Sequence, residues 1–510
     1  MSDISTITLG SHLTLEEFVA VARFGAQVEF SQEYCDRVNR TRSLVEGWVQ
    51  EKRVMYGVTT GFGALCTRAI DSDETAKLQE NIIMSHSVSV GEPLSIERVR
   101  GTMLMILQNL GTGASGVRLE LLEKYRELLN AGVTPYAPGD GSVGYLSPEA
   151  HMALVITGRG RAYYQGDLMD GAEALNRAGI SPLALSSKEG LAVVSGTTTS
   201  TAMAALALYD MRQAALSADI VGAMSLEALH GVMGAFDERV MNVRPHPDQA
   251  DTAANVRAIL ADSQVIEKYQ GCRVQDALSL RCIPQLHGAA KKTLRDALTT
   301  VEIEMNSCCD NPVISLEGDK PDIISACNAD SAYVGMEMDS ACIAATSLAK
   351  MSERRNNRLI DESLSGYPWF CIKNPGLDSG LMIPQYTQAG LLNQMRMLCT
   401  PCTIDNTPTC GNQEDYVAMG YNACLKAGPV AEKLEYILAI ELLSAYQAQQ
   451  FLEPDLPRST ATTAVLTEIG EHVPVLEHDM LLHPHIEYLR NLIHSGQLIE
   501  IVEGKIGKLR

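Results

Sequence analysis

Aromatic residues and positive charge are both scarce in this 510-residue chain. Phe, Trp and Tyr together make up 5% of it, and only 2 residues are tryptophan. Because β-sandwiches are usually richer in aromatic and β-branched residues, this composition favours aliphatic packing between helices. Lysine and arginine number 41 against 62 acidic residues, which gives a net charge of −21. Such a surface repels phosphate groups, so nucleic acid and anionic membranes are not expected partners.

A leader peptide and a membrane segment are also not apparent. The first residues, Met1-Ser-Asp-Ile-Ser-Thr, lack the basic and apolar regions of a signal peptide. No unbroken run of about 18 apolar residues occurs, which a spanning helix would need. The 13 cysteines are odd in number and irregularly spaced, as reduced thiols are. We therefore expect a cytoplasmic protein.

Helical periodicity of the apolar residues is the dominant pattern in the sequence. Thr14 is a predicted N-cap, with apolar residues at helical spacing behind it. From Leu191 onward several segments are apolar on every side, which is typical of helices buried in a bundle or between subunits. The predicted fold is mainly α, with a mixed N-terminal region at 1–110 and an elongated helical bundle at 111–510. The predicted helices are 14–26, 33–51, 76–88, 96–110, 119–131, 198–235, 253–263, 287–307, 330–360, 382–398, 413–450 and 459–470.

Three patterns suggest chemistry that their surroundings do not support. Gly111-Thr-Gly-Ala-Ser-Gly116 matches a dinucleotide fingerprint, but it follows a predicted helix instead of a strand, so a turn is favoured. Cys399-Thr-Pro-Cys402 has no second pair to complete a zinc site, which favours structural thiols. The acids Asp330, Glu337 and Asp339 could ligate a metal, but a solvated or salt-bridged helix face is the favoured interpretation. We predict no cofactor and no metal.

Seven segments, in a fixed order, carry a more specific signal. They are Tyr56-Gly-Val-Thr-Thr-Gly-Phe-Gly63, Ser85-His-Ser-Val-Ser-Val-Gly-Glu-Pro93, Lys188-Glu-Gly-Leu-Ala-Val-Val-Ser-Gly-Thr197, Gln275-Asp-Ala-Leu-Ser-Leu-Arg-Cys282, Asp310-Asn-Pro312, Asn374-Pro-Gly-Leu-Asp-Ser-Gly-Leu-Met382 and Asn412-Gln-Glu-Asp415. Over nearly the whole chain they resemble the class I ammonia-lyase and aminomutase superfamily, and its histidine ammonia-lyases most of all. The resemblance implies a mostly helical homotetramer whose active sites are shared between subunits, and a 1,2-elimination of an amine.

Two residues match the superfamily's general machinery. Tyr56 matches the tyrosine that removes the β-proton of the substrate, a role that needs a pKa below that of free tyrosine. Arg281 matches the arginine that holds the substrate carboxylate, for which a bidentate guanidinium is suited. Without the resemblance, Tyr56 would be a packed loop residue and Arg281 a structural ion pair.

His86 and Glu414 indicate the substrate class. In the family that this chain resembles, phenylalanine-specific members carry apolar or amide side chains at these two positions, whereas histidine-specific members carry His and Glu. A carboxylate beside an imidazole favours its cationic form, which withdraws electrons from the β-carbon. The resemblance therefore implies an imidazole-bearing substrate, with His86 binding it and Glu414 aiding catalysis. A core histidine is the alternative for His86.

The stretch Gly141–His151 departs from the family. There the family reads Gly-Ser-Val-Gly-Ala-Ser-Gly-Asp-Leu-x-Pro-Leu-Ala-His, and its Ala-Ser-Gly triplet cyclises into the electrophile methylidene-imidazolone. This chain runs from Gly144 directly to Tyr145 and is three residues shorter. Three expected partners of the electrophile also differ: Ser195 replaces asparagine, Leu278 replaces tyrosine and Ala329 replaces phenylalanine. We therefore expect no prosthetic group.

The missing electrophile guides the functional prediction. A trimethylammonium group leaves without activation, so the chain resembles the ergothionase members, which convert ergothioneine to thiolurocanate and trimethylamine. Lys373 is the predicted catalytic partner of the sulfur. Tyr145, Asn328 and Asp330 are predicted to bind substrate, with either Tyr145 or Asp330 facing the cationic group. Histidine ammonia-lyase activity, which gives urocanate and ammonia, is the alternative, and an inactive scaffold is another.

Overall fold

The computed structural model describes residues 4–71 and 74–510. The first three of the residues used for the signal-peptide prediction lie outside this part. The mainly α prediction is confirmed, since helices make up 59% of the structure. The first helices are α1 Leu15–Ala22, α2 Gln32–Gln50, α3 Thr75–His86, α4 Ile96–Leu110, α5 Leu119–Ala131, α6 Glu149–Ile156, α7 Gly171–Ala178, α8 Glu189–Val194, α9 Thr198–Ala228, α10 Glu238–Asn242 and α11 Pro247–Ile259. They continue as α12 Gln264–Lys268, α13 Leu278–Arg281, α14 Ile283–Met305, α15 Ala332–Ile360, α16 Glu362–Ser365, α17 Met382–Leu398, α18 Gly420–Ala448, α19 Thr460–His472, α20 His483–His494 and α21 Gln497–Ile506.

The strands are short and form separate small sheets. They are β1 Thr6–Leu9, β2 Gln27–Phe30, β3 Val90–Pro93, β4 Thr134–Pro135, β5 Pro138–Asp140, β6 Arg161–Tyr164, β7 Asp167–Asp170, β8 Val313–Ser315 and β9 Asp322–Ile324. β1 pairs with β2 in parallel, whereas β3 with β5, β4 with β6, β6 with β7 and β8 with β9 are antiparallel. These ribbons connect helices and fix the loops between them.

The chain forms two compact units that are interleaved along the sequence. Unit 1 comprises residues 1–206, 298–339 and 401–426. Unit 2 comprises residues 207–297, 340–400 and 427–510. Both predicted regions, 1–110 and 111–510, contribute to unit 1, so the compact units do not follow the predicted boundary.

Local sequence signals explain where several helices begin. The hydroxyl of Thr14 accepts a hydrogen bond from Glu17 N (3.2 Å), and the Glu17 carboxylate accepts one from Thr14 N (2.9 Å). This capping box starts α1 at the predicted point. By contrast, α18 begins at Gly420 and not at 413, because Met419, directly before it, has a positive φ angle of +52° that a helix excludes. The residues before Gly420 are consequently free to form a loop.

The segment 189–228, which includes α8 and α9, is the most apolar part of the structure. It is long and apolar enough to cross a membrane, and every residue of its most apolar window is buried within the protein. An all-round apolar helix of this kind is typical of a protein core.

The three misleading patterns are structural. Residues 111–116 form the turn between α4 and α5. Cys399 and Cys402 are free thiols. The carboxylate of Asp339 accepts hydrogen bonds from the backbone nitrogens of Cys402 (2.9 Å) and Thr403 (3.0 Å). Asp339 thus caps a loop, and it also forms an ion pair with Lys426 (2.5 Å).

Candidate active site

Unit 1 contains a cavity of about 720 Å³ that is lined by residues of five of the seven sequence motifs. Four of the predicted site residues line it: Tyr56, His86, Tyr145 and Glu414. The other residues that line it are Phe62, Gly63, Ser85, Val88, Gly141, Ser142, Val143, Leu146, Ser147, Leu191, Ser195, Asn311, Ser325, Ala326, Cys327, Ala329, Thr409, Cys410, Gln413, Asp415 and Tyr416. The described residues that line the cavity include acids and no lysine or arginine.

Tyr56 is held by its own loop. Its hydroxyl oxygen accepts a hydrogen bond from Gly63 N (2.8 Å), which requires the chain to turn back at Gly63 with φ +54°. Burial raises the pKa of Tyr56, the bond from Gly63 opposes this rise, and the charge of Glu414 adds to it. The pKa shift is thus opposite to the lowering that a catalytic base needs, because the cavity is buried and acidic.

The loop that carries Glu414 packs directly against the Tyr56 loop. Ala64 N donates to Cys410 Sγ (3.4 Å), and a side chain on Gly63 would collide with the same sulfur. Such a Cβ would also lie 3.9 Å from Glu414 Oε1. The other carboxylate oxygen, Oε2, is buried and has no hydrogen-bond partner within residues 4–71 and 74–510. A buried unpaired carboxylate oxygen is costly unless a ligand supplies the donor.

His86 is oriented by the last turn of α3. Its Nδ1 lies 2.8 Å from the carbonyl oxygen of Ile82 and 3.0 Å from Ser85 Oγ. A carbonyl oxygen only accepts, so Nδ1 carries the hydrogen and Nε2 remains an acceptor. Burial lowers the pKa of His86, which favours this neutral form.

The loop at Gly141 is closed by its own hydrogen bonds. Ser142 Oγ accepts from Gly144 N and donates to the Tyr145 carbonyl, both at 3.3 Å, and Leu146 N donates to the Val194 carbonyl (2.8 Å). A Cβ on Gly144 would lie 2.5 Å from Ser331 Oγ. The loop lacks the triplet that forms methylidene-imidazolone, and its tight packing leaves no substitute for it, so these residues do not fit that group.

Tyr145 occupies the cavity wall after this closed turn. Burial raises the pKa of Tyr145 to about 12, with the charges of Glu414 and Asp330 adding to the effect. Its phenol is therefore a neutral hydrogen-bonding group near neutral pH.

Ser195 and Asn311 join two other parts of the wall. Asn311 N donates to Ser195 Oγ (3.1 Å), and Asn311 Oδ1 accepts from Ala326 N (2.8 Å). The family asparagine that Ser195 replaces would support an electrophile, whereas Ser195 here supports the neighbouring backbone.

Asn328 and Asp330 flank Ala329 but do not themselves line the cavity. Asn328 Nδ2 donates to the Cys308 carbonyl (3.4 Å). Asp330 Oδ1 accepts from Ala332 N (2.9 Å) at the start of α15, so this carboxylate serves as a helix cap. Asp330 affects the cavity electrostatically, because its negative charge contributes to the raised pKa of Tyr145.

Arg281 and Lys373 belong to unit 2 and do not line the cavity of unit 1. Arg281 ends α13, and its Nε is buried without a hydrogen-bond partner among the described residues. Lys373 is exposed and lies 2.8 Å from the Glu477 carboxylate. The fold therefore brings four predicted residues together in one chain and leaves these two elsewhere.

Sequence reasoning missed the two thiols of the wall, Cys327 and Cys410. Burial raises the pKa of Cys327, and the charge of Asp330 adds to the rise. Cys410 could have been identified, because it stands four residues before Glu414 in the same motif-bearing loop.

Comparison with known proteins gives one consistent family. The aromatic amino acid lyase family model matches residues 13–471. A histidine ammonia-lyase of Streptococcus sanguinis is 43% identical over 96% of this chain and 95% of its own. The crystal structure of histidine ammonia-lyase from Trypanosoma cruzi is 34% identical, with a TM-score of 0.91 over 97% of this chain and 94% of that one. The ergothionase of Treponema denticola, with a TM-score of 0.89, is 27% identical over 97% of this chain and 99% of its own.

These similarities overturn the ergothionase prediction. Full-length relatives at 40% to 43% identity are named histidine ammonia-lyases, well above the 27% of the ergothionase. The prediction went wrong because it placed the absence of one triplet above the remainder of the chain. The role of Lys373 as a sulfur partner depended on that substrate and loses its basis with it.

Proposed function

The chain belongs to the aromatic amino acid lyase family and is a carbon–nitrogen lyase, and on this premise we propose that it eliminates ammonia from histidine to give urocanate. One observation carries the choice of substrate: the Glu414 carboxylate and the His86 imidazole line the same cavity, whose described wall residues include no lysine or arginine. An imidazole N–H, neutral or cationic, can donate to either of these acceptors. The family relatives named histidine ammonia-lyase support the same choice.

His86 complements Glu414 in this proposal. Its Nε2 accepts a hydrogen bond, because Nδ1 donates to the Ile82 carbonyl. A substrate imidazolium presents two N–H groups, so it can donate to Nε2 of His86 and to Oε2 of Glu414. Phenylalanine presents neither donor and would leave both acceptors unpaired, which costs free energy.

Tyr56 is the proposed base. Its oxygen takes the β-proton of histidine, the C–H electron pair becomes the Cα–Cβ double bond, and the Cα–N bond breaks. The pKa of Tyr56 is raised by burial and by Glu414. A bound imidazolium opposes this electrostatic effect and favours the phenolate.

The negative charge of the cavity also determines the form in which the amino group leaves. An ammonium leaves as neutral ammonia, whereas a free amine would have to leave as an amide anion. The acidic cavity favours the ammonium, and the imidazolium acidifies the β-carbon. Because the loop at Gly144 does not fit methylidene-imidazolone, the proposed elimination does not use that group.

The substrate carboxylate needs a cation that the described wall residues of the cavity do not provide. We propose that Arg281 of a second copy provides it, within a homotetramer with shared sites. Arg281 is partly exposed in the single chain, which supports this assignment because a substrate in another copy can then approach it. Exposed apolar side chains on α15, Tyr333 and Met336 among them, support self-association. The free cysteines are consistent with the proposed cytoplasmic location.

Direct assay tests the substrate. Purified protein is incubated with histidine, phenylalanine and tyrosine separately, and urocanate, cinnamate and coumarate are followed by their ultraviolet absorbance. We expect urocanate, with ammonia released in equal amount. Absence of urocanate, or faster turnover of phenylalanine or tyrosine, contradicts the proposal.

Subunit mixing tests the shared site. Tyr56→Phe and Arg281→Ala proteins are expected to be inactive alone. Unfolded and refolded together, they form mixed oligomers in which some sites contain both native residues, and activity returns. If the mixture stays inactive while each variant alone assembles normally, Arg281 does not act across subunits.

A further inference from the structure

Glu149 is a carboxylic acid in a place where the family pattern has leucine. It is 1% exposed and is the first residue of α6, whose other residues are apolar apart from His151. A buried acid in an apolar helix is costly unless it is hydrogen-bonded. Its presence beside the shortened loop therefore needs a physical reason.

The reason lies at the start of α9. Glu149 Oε1 accepts hydrogen bonds from Thr198 Oγ1 and Thr199 N, both at 3.1 Å. The N-terminus of a helix presents unpaired N–H groups and a partial positive charge, so an acid is stabilised there. Glu149 thus acts as a cap for a helix that is distant in sequence.

This one carboxyl joins two walls of the cavity. Glu149 follows directly on the loop 145–148, whose residues Tyr145, Leu146 and Ser147 line the cavity. Thr198 stands three residues after Ser195, which also lines it and accepts the bond from Asn311 N. A shift of the carboxyl therefore moves both loops relative to each other.

The bonding of Glu149 is not complete within the chain. Oε2 is buried without a hydrogen-bond partner among the described residues, and the Tyr125 hydroxyl is in the same condition. Burial raises the pKa of Glu149, while the bonds from Thr199 and Thr198 oppose the rise. A side chain that served only to fill the core would be better as leucine, because leucine has no polar atoms to bury.

We propose that Glu149 is a positioning residue of the active site, which fixes the Tyr145 loop against the Ser195 loop through the N-terminus of α9. It touches neither substrate nor the reacting atoms. Its kinetic consequences rest on the proposed histidine elimination, whereas its effect on the two loops does not.

The decisive variant is Glu149→Leu, since it restores the residue of the family pattern and keeps the apolar packing. Amide hydrogen exchange is measured without substrate, and kcat and KM are measured with histidine. We expect faster exchange at 141–147 and 195–199, and kcat lower by about tenfold to a hundredfold with KM little changed. Glu149→Gln retains an acceptor oxygen and is expected to recover most of kcat.

Two further variants keep the test interpretable. Thr198→Val removes one donor to Glu149 and is expected to speed exchange at 195–199. Ser200→Ala is the control, because Ser200 Oγ is buried in the same helix turn with no partner among the described residues.

Each outcome decides the matter. Native exchange and native kcat in Glu149→Leu would show that Glu149 only fills the core, and the proposal is then wrong. If the parent protein does not turn over histidine, the proposed function fails, and the exchange data alone decide on Glu149. If Glu149→Leu does not fold, native exchange at 195–199 in Thr198→Val overturns the proposal.

Discussion

Lys188 Nζ lies 2.6 Å from Asp310 Oδ2, and neither side chain has any exposed surface. The other oxygen of Asp310 accepts from Asn311 N (2.7 Å), whose residue lines the cavity. The ion pair therefore fixes one wall of the active site to the residue that precedes α8. Because no water reaches either charge, each depends on the other for its stabilisation.

Loss of this pair should destabilise the protein strongly. Lys188→Met leaves the Asp310 carboxylate buried without its cation, and we expect the free energy of unfolding to fall by about 3–5 kcal/mol. Urea denaturation followed by circular dichroism measures the change. Lys373→Met is the matched control, since Lys373 pairs with Glu477 at the surface, and its unfolding midpoint should stay near that of the parent. A similar midpoint for both variants would contradict the assignment.

The proposed role of Tyr56 as the base predicts a characteristic pH dependence of the reaction rate. Burial raises the pKa of Tyr56 above its ordinary value near 10, and the base is active as the phenolate, so kcat at saturating histidine, where Glu414 holds the imidazole in its cationic form, should rise about tenfold per pH unit between neutral pH and pH 9. Tyr56→Phe should abolish this limb together with nearly all activity. Tyr145→Phe is the control, because the pKa of Tyr145 is raised to about 12 and the variant should keep the slope. A flat profile in the parent would exclude Tyr56 as the titrating base.

Glu414 should determine affinity for the imidazole. Glu414→Gln retains the shape but loses the charge, and a hydrogen bond to a charged group contributes about 1.5–3 kcal/mol. We expect kcat/KM for histidine to fall by about tenfold to a hundredfold. Asp415→Asn removes an exposed acid of the same wall and should have a much smaller effect. Equal losses would mean that the cavity senses only total charge.

The shortened loop predicts an unmodified polypeptide. Intact mass spectrometry should give the mass of the written sequence, with no deficit of two waters from cyclisation. Borohydride, which reduces methylidene-imidazolone, should leave turnover unchanged. A deficit of two waters at 141–151 would show that another sequence forms the electrophile, independently of whether histidine is the substrate.

The fold was largely predictable because its signals are local. The helices α4, α5 and α17 begin and end where they were predicted. α5 and α17 each present one regular buried face, whereas α4 is buried on all sides from Val99 to Leu110. The strands escaped prediction because β4, β5 and their neighbours have only two to four residues, too few to show alternation. The two interleaved units could not be predicted from the sequence, because each unit is defined by contacts between segments that are distant in the sequence.

The site was predictable where a motif carries chemistry. Tyr56, His86, Tyr145 and Glu414 line one cavity as the motifs suggested. Arg281 could not be placed, because sequence order does not say which unit a residue joins. Glu149 had a signal that went unused: it is the only acid of α6, whose other residues are apolar apart from His151, and it stands directly after the shortened loop.

The contact between Gly144 and Ser331 has a consequence for the length of the loop. A Cβ on Gly144 would already meet Ser331 Oγ, and Ser142 and Val194 hold the loop on either side by hydrogen bonds. Reinsertion of three residues would have to open these contacts before any benefit could arise. A triplet at this position would therefore require changes in the neighbouring loops as well as the three inserted residues.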